Sequence, residues 1–178
     1  AMREAERFMG NSGAIHKEAV AAKEVLERAR SAVARELGCK SREIVFTSGL
    51  TESNNLAVLG YARKLAMEGR ALDDTHWIVS SIEHVSVLEC FSEIERLGGK
   101  VTHIDPNEHG IISPEDVTRA IRPETVFISI HSANNEIGTV QPIRNIARAI
   151  HQYKNEGLTK SFMGKVVFHS DAGQAPLY

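Results

Sequence analysis

Cysteine is scarce in this sequence. Cys39 and Cys90 are the only two in 178 residues. They form no Cys-x-x-Cys pair, which leaves neither a disulfide framework nor a zinc-binding spacing. None of the eight histidines falls in a His-Glu-x-x-His or similar ligand pattern, so no metal site is expected. An excess of either charge is lacking too: 21 basic side chains face 23 acidic ones, for a net charge of −2. That balance excludes the electrostatic footprint of a nucleic-acid binder and the like-charge blocks of a disordered tail. No apolar run approaches the ~20 residues of a membrane span, and no secretory leader pattern precedes the first helical stretch. The expectation is a cytoplasmic protein with no nucleic-acid or membrane partner. It is a single domain over residues 1–178, with a helical segment over about 1–40 leading into it.

What is present is a regular alternation. Helical spacing runs from about His16 to Leu37 and stops at Gly38, a natural residue for the position after a helix. "EIVFTSG" predicts a short strand, and "TESNNLAVLGYARKLAMEG" a helix. "WIVSS" predicts a second strand, "HVSVLECFSEIERLGG" a helix closed by two glycines, and "KVTHID" a third strand. Ser113, Pro114 and two acids then give a strong helix start. "TVFISI" is a fourth strand, residues from Pro142 to about Asn155 another helix, "NEGLTKSFMGK" a polar loop and "KVVFHS" a fifth strand. Strands that are apolar throughout and alternate with helices imply an α/β fold, a mostly parallel sheet with helices on both faces. Ligands in such folds sit beyond the carboxyl ends of the strands.

Those ends carry Thr47 to Ser53, then Glu83 and His84, then Ala133 to Glu136, then Asp171 and Gln174. A glycine turn entering a helix at Leu50, Thr51, Glu52 and Ser53 presents backbone N–H groups to a phosphate. Thr51 or Ser53 acting only as a helix cap is the plain alternative. The loop is not a P-loop and lacks the dinucleotide glycine fingerprint. Asp171, at the end of an apolar strand, needs a cation or several donors. Pyridoxal phosphate supplies both partners: a phosphate for the helix start and a protonated ring nitrogen for the carboxylate. His84 could stack on that ring, with Asn135 and Gln174 hydrogen-bonding its oxygen.

"EIVFTSGLTESNNLAVLG", "SSIEHVSVLECF", "SIHSANNEIGTVQPI" and "VVFHSDAGQA" resemble, in order and spacing, the large domain of the cysteine desulfurases. These are class V aminotransferase-like enzymes dependent on pyridoxal phosphate. The resemblance runs from about Asn11 to the last residues. It implies an incomplete pyridoxal-phosphate-dependent transferase large domain, with the cofactor phosphate on Thr51 and the backbone around Leu50. It further implies His84 as ring-stacking and catalytic residue, Asn135 near the ring oxygen and substrate, Asp171 on the ring nitrogen and Gln174 on the phenolic oxygen. His16 matches a segment near the entrance, where Ser12 departs from the family's usual Asn-Pro-Ser.

The implied activity converts L-cysteine to L-alanine, with sulfur passed to an enzyme cysteine as persulfide. The implied partners are a sulfur acceptor or iron–sulfur scaffold protein and a second copy in a homodimer. The family's Schiff-base lysine, in a Ser/Thr-x-His-Lys segment, its persulfide-forming cysteine and its substrate-binding arginine have no counterpart in these residues. Cys39 and Cys90 do not match the nucleophile and read as small buried hydrophobes. The chain alone is therefore expected not to turn over cysteine. Other readings are selenocysteine lyase or another class V aminotransferase-like enzyme, and a non-catalytic fragment or scaffold subunit.

Overall fold

The computed structural model describes residues 11–155 and 166–174. The chain divides into two compact units, residues 1–47 and 48–178. The first is built on helix α1 (Lys17–Glu36), which starts where the His16 imidazole accepts from the Ala19 N–H at 3.3 Å. It stops because Gly38, at φ 65°, turns left-handed and lets the Gly38 and Cys39 N–H groups close back on the Arg35 and Ala34 carbonyls. A 3-10 turn over Ser41–Glu43 follows.

The strand expected over "EIVFTSG" does not form among the described residues. Ile44 to Thr47 run outside regular structure, with Val45 65% and Phe46 45% exposed. β-propensity alone does not make a strand; the backbone needs a neighbouring ladder. Here the Arg30 guanidinium donates to the Ile44 carbonyl and lies 4.9 Å over the Phe46 ring instead.

The second unit holds helix α2 (Leu50–Met67), strand β1 (His76–Ser80), helix α3 (Val85–Arg96) and strand β2 (Lys100–Ile104). Helix α4 (Pro114–Ala120), strand β3 (Thr125–Ser129), the short strands β4 (Ala133–Asn134) and β5 (Thr139–Val140), helix α5 (Ile143–Asn155) and strand β6 (Val167–His169) complete it. The main sheet is wholly parallel in the order β2-β1-β3-β6. β4 and β5 form a small antiparallel hairpin in the connection between β3 and α5. The expected α/β architecture is confirmed. The polar loop expected over 155–165 lies almost wholly outside the described residues.

Two cores account for the strands being apolar on both sides. Trp77, Val79 and Phe127 pack with Val58, Ala62, Leu65, Val87, Phe91 and Ile94 of α2 and α3. Ile78, Ile128 and Ile130 pack with Val117, Ile146 and Ile150 of α4 and α5. Helices α2 and α3 end as α1 does. Gly69 and Gly98 take φ 81° and 95°, and the next residues, Arg70 and Gly99, bond back to the Leu65 and Ile94 carbonyls. α4 begins at the expected Ser113, whose hydroxyl accepts from the Asp116 N–H at 3.0 Å.

Candidate functional site

The connection leaving β1 enters α3 on one face of the sheet, whereas the chain leaving β3 goes to α5 on the other. Adjacent parallel strands whose connections part in this way open a crevice at their carboxyl ends. A cavity of about 280 Å³ lies there. Ser81 to His84 after β1, His131 and Ala133 to Ile137 after β3, Asp171 and Gln174 after β6, and Leu50 at the start of α2 line it.

The two carboxyl groups in this cavity sit in unlike settings. Asp171 is half-buried; one oxygen accepts from Asn54 Nδ2 and the other from the Gly173 N–H, both at 2.9 Å. A carboxylate offers about four lone-pair sites, so acceptor capacity is left for an incoming N–H. Glu83 is only 6% exposed. Its Oε1 accepts from the Ser80 hydroxyl at 2.9 Å and the His131 N–H at 2.6 Å, and its Oε2 has no partner among the described residues. Burial pushes its pKa up to about 7; those two hydrogen bonds oppose the rise and the Asp171 charge adds to it. His131 Nε2 is also buried without a partner among the described residues, and burial lowers that imidazole's pKa. Two orphaned polar atoms on residues lining one cavity fit a polar ligand or water.

His84 caps α3. Its Nδ1 accepts from the Ser86 N–H at 3.1 Å and lies 2.8 Å from the Ser86 hydroxyl, leaving Nε2 for the cavity. Across the cavity, α2 starts at Gly49, which has no side chain to cap it. Glu52 reaches back to the Ser48 N–H and hydroxyl, and those bonds lower its pKa. No His, Cys, Asp or Glu cluster able to hold a metal ion occurs among the described residues.

Of the residues singled out from sequence, Leu50, His84, Asn135, Asp171 and Gln174 line the one cavity. Thr51 does not; it is exposed on the first turn of α2, its carbonyl accepting from Asn55. His16 lies in the other unit, as a helix cap. Cys90 is buried and donates to the Ser86 carbonyl at 3.1 Å, and burial raises its thiol pKa; Cys39 is half-buried. Sequence reasoning missed Asn54, Ser86 and His131, and noted Glu83 only as a polar strand end. Asn134 also has a larger part than expected, its side chain donating to the Ile82 carbonyl and accepting from the Glu136 and Ile137 N–H groups. Those bonds hold the turn that presents Asn135.

Comparison with known proteins agrees with this geometry. Residues 1–158 match the family described as Aminotransferase class-V. A cysteine desulfurase IscS of Dictyoglomus turgidum is 38% identical over 169 residues, covering 95% of this chain and 39% of that protein. One from Archaeoglobus fulgidus is 37% identical over 163 residues, covering 92% and 38%. Among solved structures, SspA in complex with cysteine is 40% identical with a TM-score of 0.81, covering 94% of this chain and 44% of that one. DndA from Streptomyces lividans is 34% identical with a TM-score of 0.76, covering 98% and 46%. The chain thus spans about two-fifths of the length of the curated relatives it matches. With its parallel sheet, its cavity at the strand ends and a match over most of its length, the chain belongs to the class V aminotransferase family, in which it is similar to the cysteine desulfurases.

Proposed function

We propose that this chain forms the cofactor-binding part of a pyridoxal-phosphate-dependent cysteine desulfurase. Such a protein takes sulfur from L-cysteine, leaves L-alanine and delivers the sulfur as a persulfide for iron–sulfur or thio-cofactor assembly. The observation that carries the reading is the single cavity joining Leu50, His84, Asn135, Asp171 and Gln174, residues distant in sequence. When bound, pyridoxal phosphate supplies an electron sink for negative charge developing on the amino acid. Asp171 offers its remaining lone pairs to the ring N–H. His84, with Nδ1 engaged, holds or moves a proton at Nε2 and covers the ring. Asn135 and Gln174 would hydrogen-bond the ring oxygen, and the start of α2 at Leu50 would take the phosphate on its backbone N–H groups.

These residues include no Ser/Thr-x-His-Lys segment. The chain by itself is therefore a binder of cofactor and not a catalyst. The same reading has it act in the cytoplasm as a homodimer that hands sulfur to a scaffold protein. The test is a pyridoxal phosphate titration of the chain followed by absorbance. An assay of alanine and sulfide release from L-cysteine by a protein joining this chain to a lysine-bearing remainder completes it. Saturable binding and stoichiometric alanine are expected; no saturable binding rejects the reading.

A further inference from the structure

Asn54 is 2% exposed, lies one helical turn after Leu50 on α2, and spends both amide hydrogens across 117 and 32 positions of sequence. One goes to Asp171 Oδ2 at 2.9 Å and the other to the Ser86 hydroxyl at 3.0 Å. An amide nitrogen can only donate, so the direction of the chain is fixed. The Ser86 oxygen accepts from Asn54, and its own proton is left for His84 Nδ1 at 2.8 Å. The Ser86 N–H also donates to Nδ1, so the imidazole carries its proton on Nε2, the nitrogen left for the cavity. Asp171, Asn54, Ser86 and His84 thus form one hydrogen-bonded line that spans β6, α2 and α3.

We propose that Asn54, itself oriented by Ser86, is a positioning residue that sets the Asp171 carboxylate for the ring nitrogen of pyridoxal phosphate and ties it to His84. The inference rests on the cofactor reading above. Without Asn54, the carboxylate of Asp171 keeps, among the described residues, only the Gly173 N–H, a donor on its own turn, and is free to swivel away from the cavity. A fixed acceptor binds better than a mobile one because its freedom is already lost before the ligand arrives.

A structural role for Asn54 and a role exercised through Asp171 differ in one measurable respect, which is additivity. Pyridoxal phosphate is titrated into the full chain in four forms: unaltered, Asn54→Ala, Asp171→Asn and the double variant. Asn54→Ala is expected to weaken binding about tenfold in the unaltered background, the loss of one hydrogen bond to a charged group. In the Asp171→Asn background it is expected to weaken binding by less than about twofold. Ser86→Ala leaves Asn54 in place and is expected to weaken binding about threefold, with Ser86→Thr, which keeps the hydroxyl, restoring it. An equal Asn54 effect in both backgrounds, or no effect of Ser86→Ala, overturns the positioning role while leaving the cofactor reading intact. Absence of any saturable binding by the unaltered chain overturns the cofactor reading and this inference with it.

Discussion

Glu83 and Asp171 are the same functional group at the ends of two strands in one sheet, and the fold treats them oppositely. Glu83 is buried, uses one oxygen to hold the Ser80 hydroxyl and the His131 N–H, and leaves the other oxygen without a partner among the described residues. Asp171 is half-buried, is held by donors on both oxygens, and faces the cavity with lone pairs to spare. Environments that separate two carboxyl groups in this way separate their tasks. Glu83 staples the loops after β1 and β3 together, and Asp171 keeps acceptor capacity toward the cavity between them. The contrast predicts that Glu83 governs stability whereas Asp171 governs binding.

The largest expected effect is on stability. Glu83→Ala strands the buried His131 N–H and Ser80 hydroxyl and leaves a hole at the end of β1. A loss of roughly 3–4 kcal/mol is expected in urea unfolding, from two unmet polar groups at about 1–3 kcal/mol each. Next comes pH. Glu83 has its pKa raised from 4.5 to about 7, so between those values the folded chain binds more protons than the unfolded one. Its contribution is full below pH 4.5 and is lost as pH rises through 7, by up to about 3 kcal/mol.

His76 works the other way. Burial, then the Arg122 charge, lowers its pKa to about 4, while its two ring nitrogens bond Thr125 and Thr102. Its contribution is present above 6.5 and lost as pH falls through 4. Buried His131 and half-buried His169, also lowered, act in the same sense as His76. The clean measurement is therefore a difference: unfolding of the unaltered chain minus that of Glu83→Gln across pH 4 to 8. The unaltered chain should lose its advantage as pH rises; a difference that stays level contradicts the assignment.

A smaller effect sharpens the Asp171 side. A Cβ on Gly173 would run into the Leu50 side chain, and the Gly173 N–H is an Asp171 donor. Leu50 is 48% exposed and can swing aside, so Gly173→Ala should cost only about 1 kcal/mol. Adding Leu50→Ala should recover it in thermal unfolding. Asp171→Asn is expected to cost about 1 kcal/mol as well, because its one amide oxygen can accept from the Gly173 N–H while its NH2 then meets Asn54 Nδ2, a donor facing a donor.

Much of the fold was legible because local chemistry fixes it. Gly38 and Gly98 mark helix ends that only a left-handed residue can make, and Ser113 and Pro114 mark a start. "EIVFTSG" has the pattern of a strand, but among the described residues no neighbouring strand pairs with it, and pattern alone does not supply a ladder. At the site, His84, Asn135, Asp171 and Gln174 were legible as polar residues following apolar strands. The burial of Glu83 was not, since an acid after a strand looks alike whether it faces water or a neighbouring loop. Asn54 was hidden for a deeper reason. Within its helix it is one of two adjacent asparagines, and only the folded chain reveals that its partner is Asp171.

The claim at the centre is that Asp171 grips a ring nitrogen. It is tested most directly by comparing pyridoxal phosphate with its 1-deaza analogue, in which carbon replaces that nitrogen, for the unaltered chain and for Asp171→Asn. The account predicts that the unaltered chain prefers pyridoxal phosphate by at least about tenfold, the worth of a charge-assisted hydrogen bond, and that Asp171→Asn abolishes the preference. Equal affinity of the unaltered chain for the two compounds contradicts it.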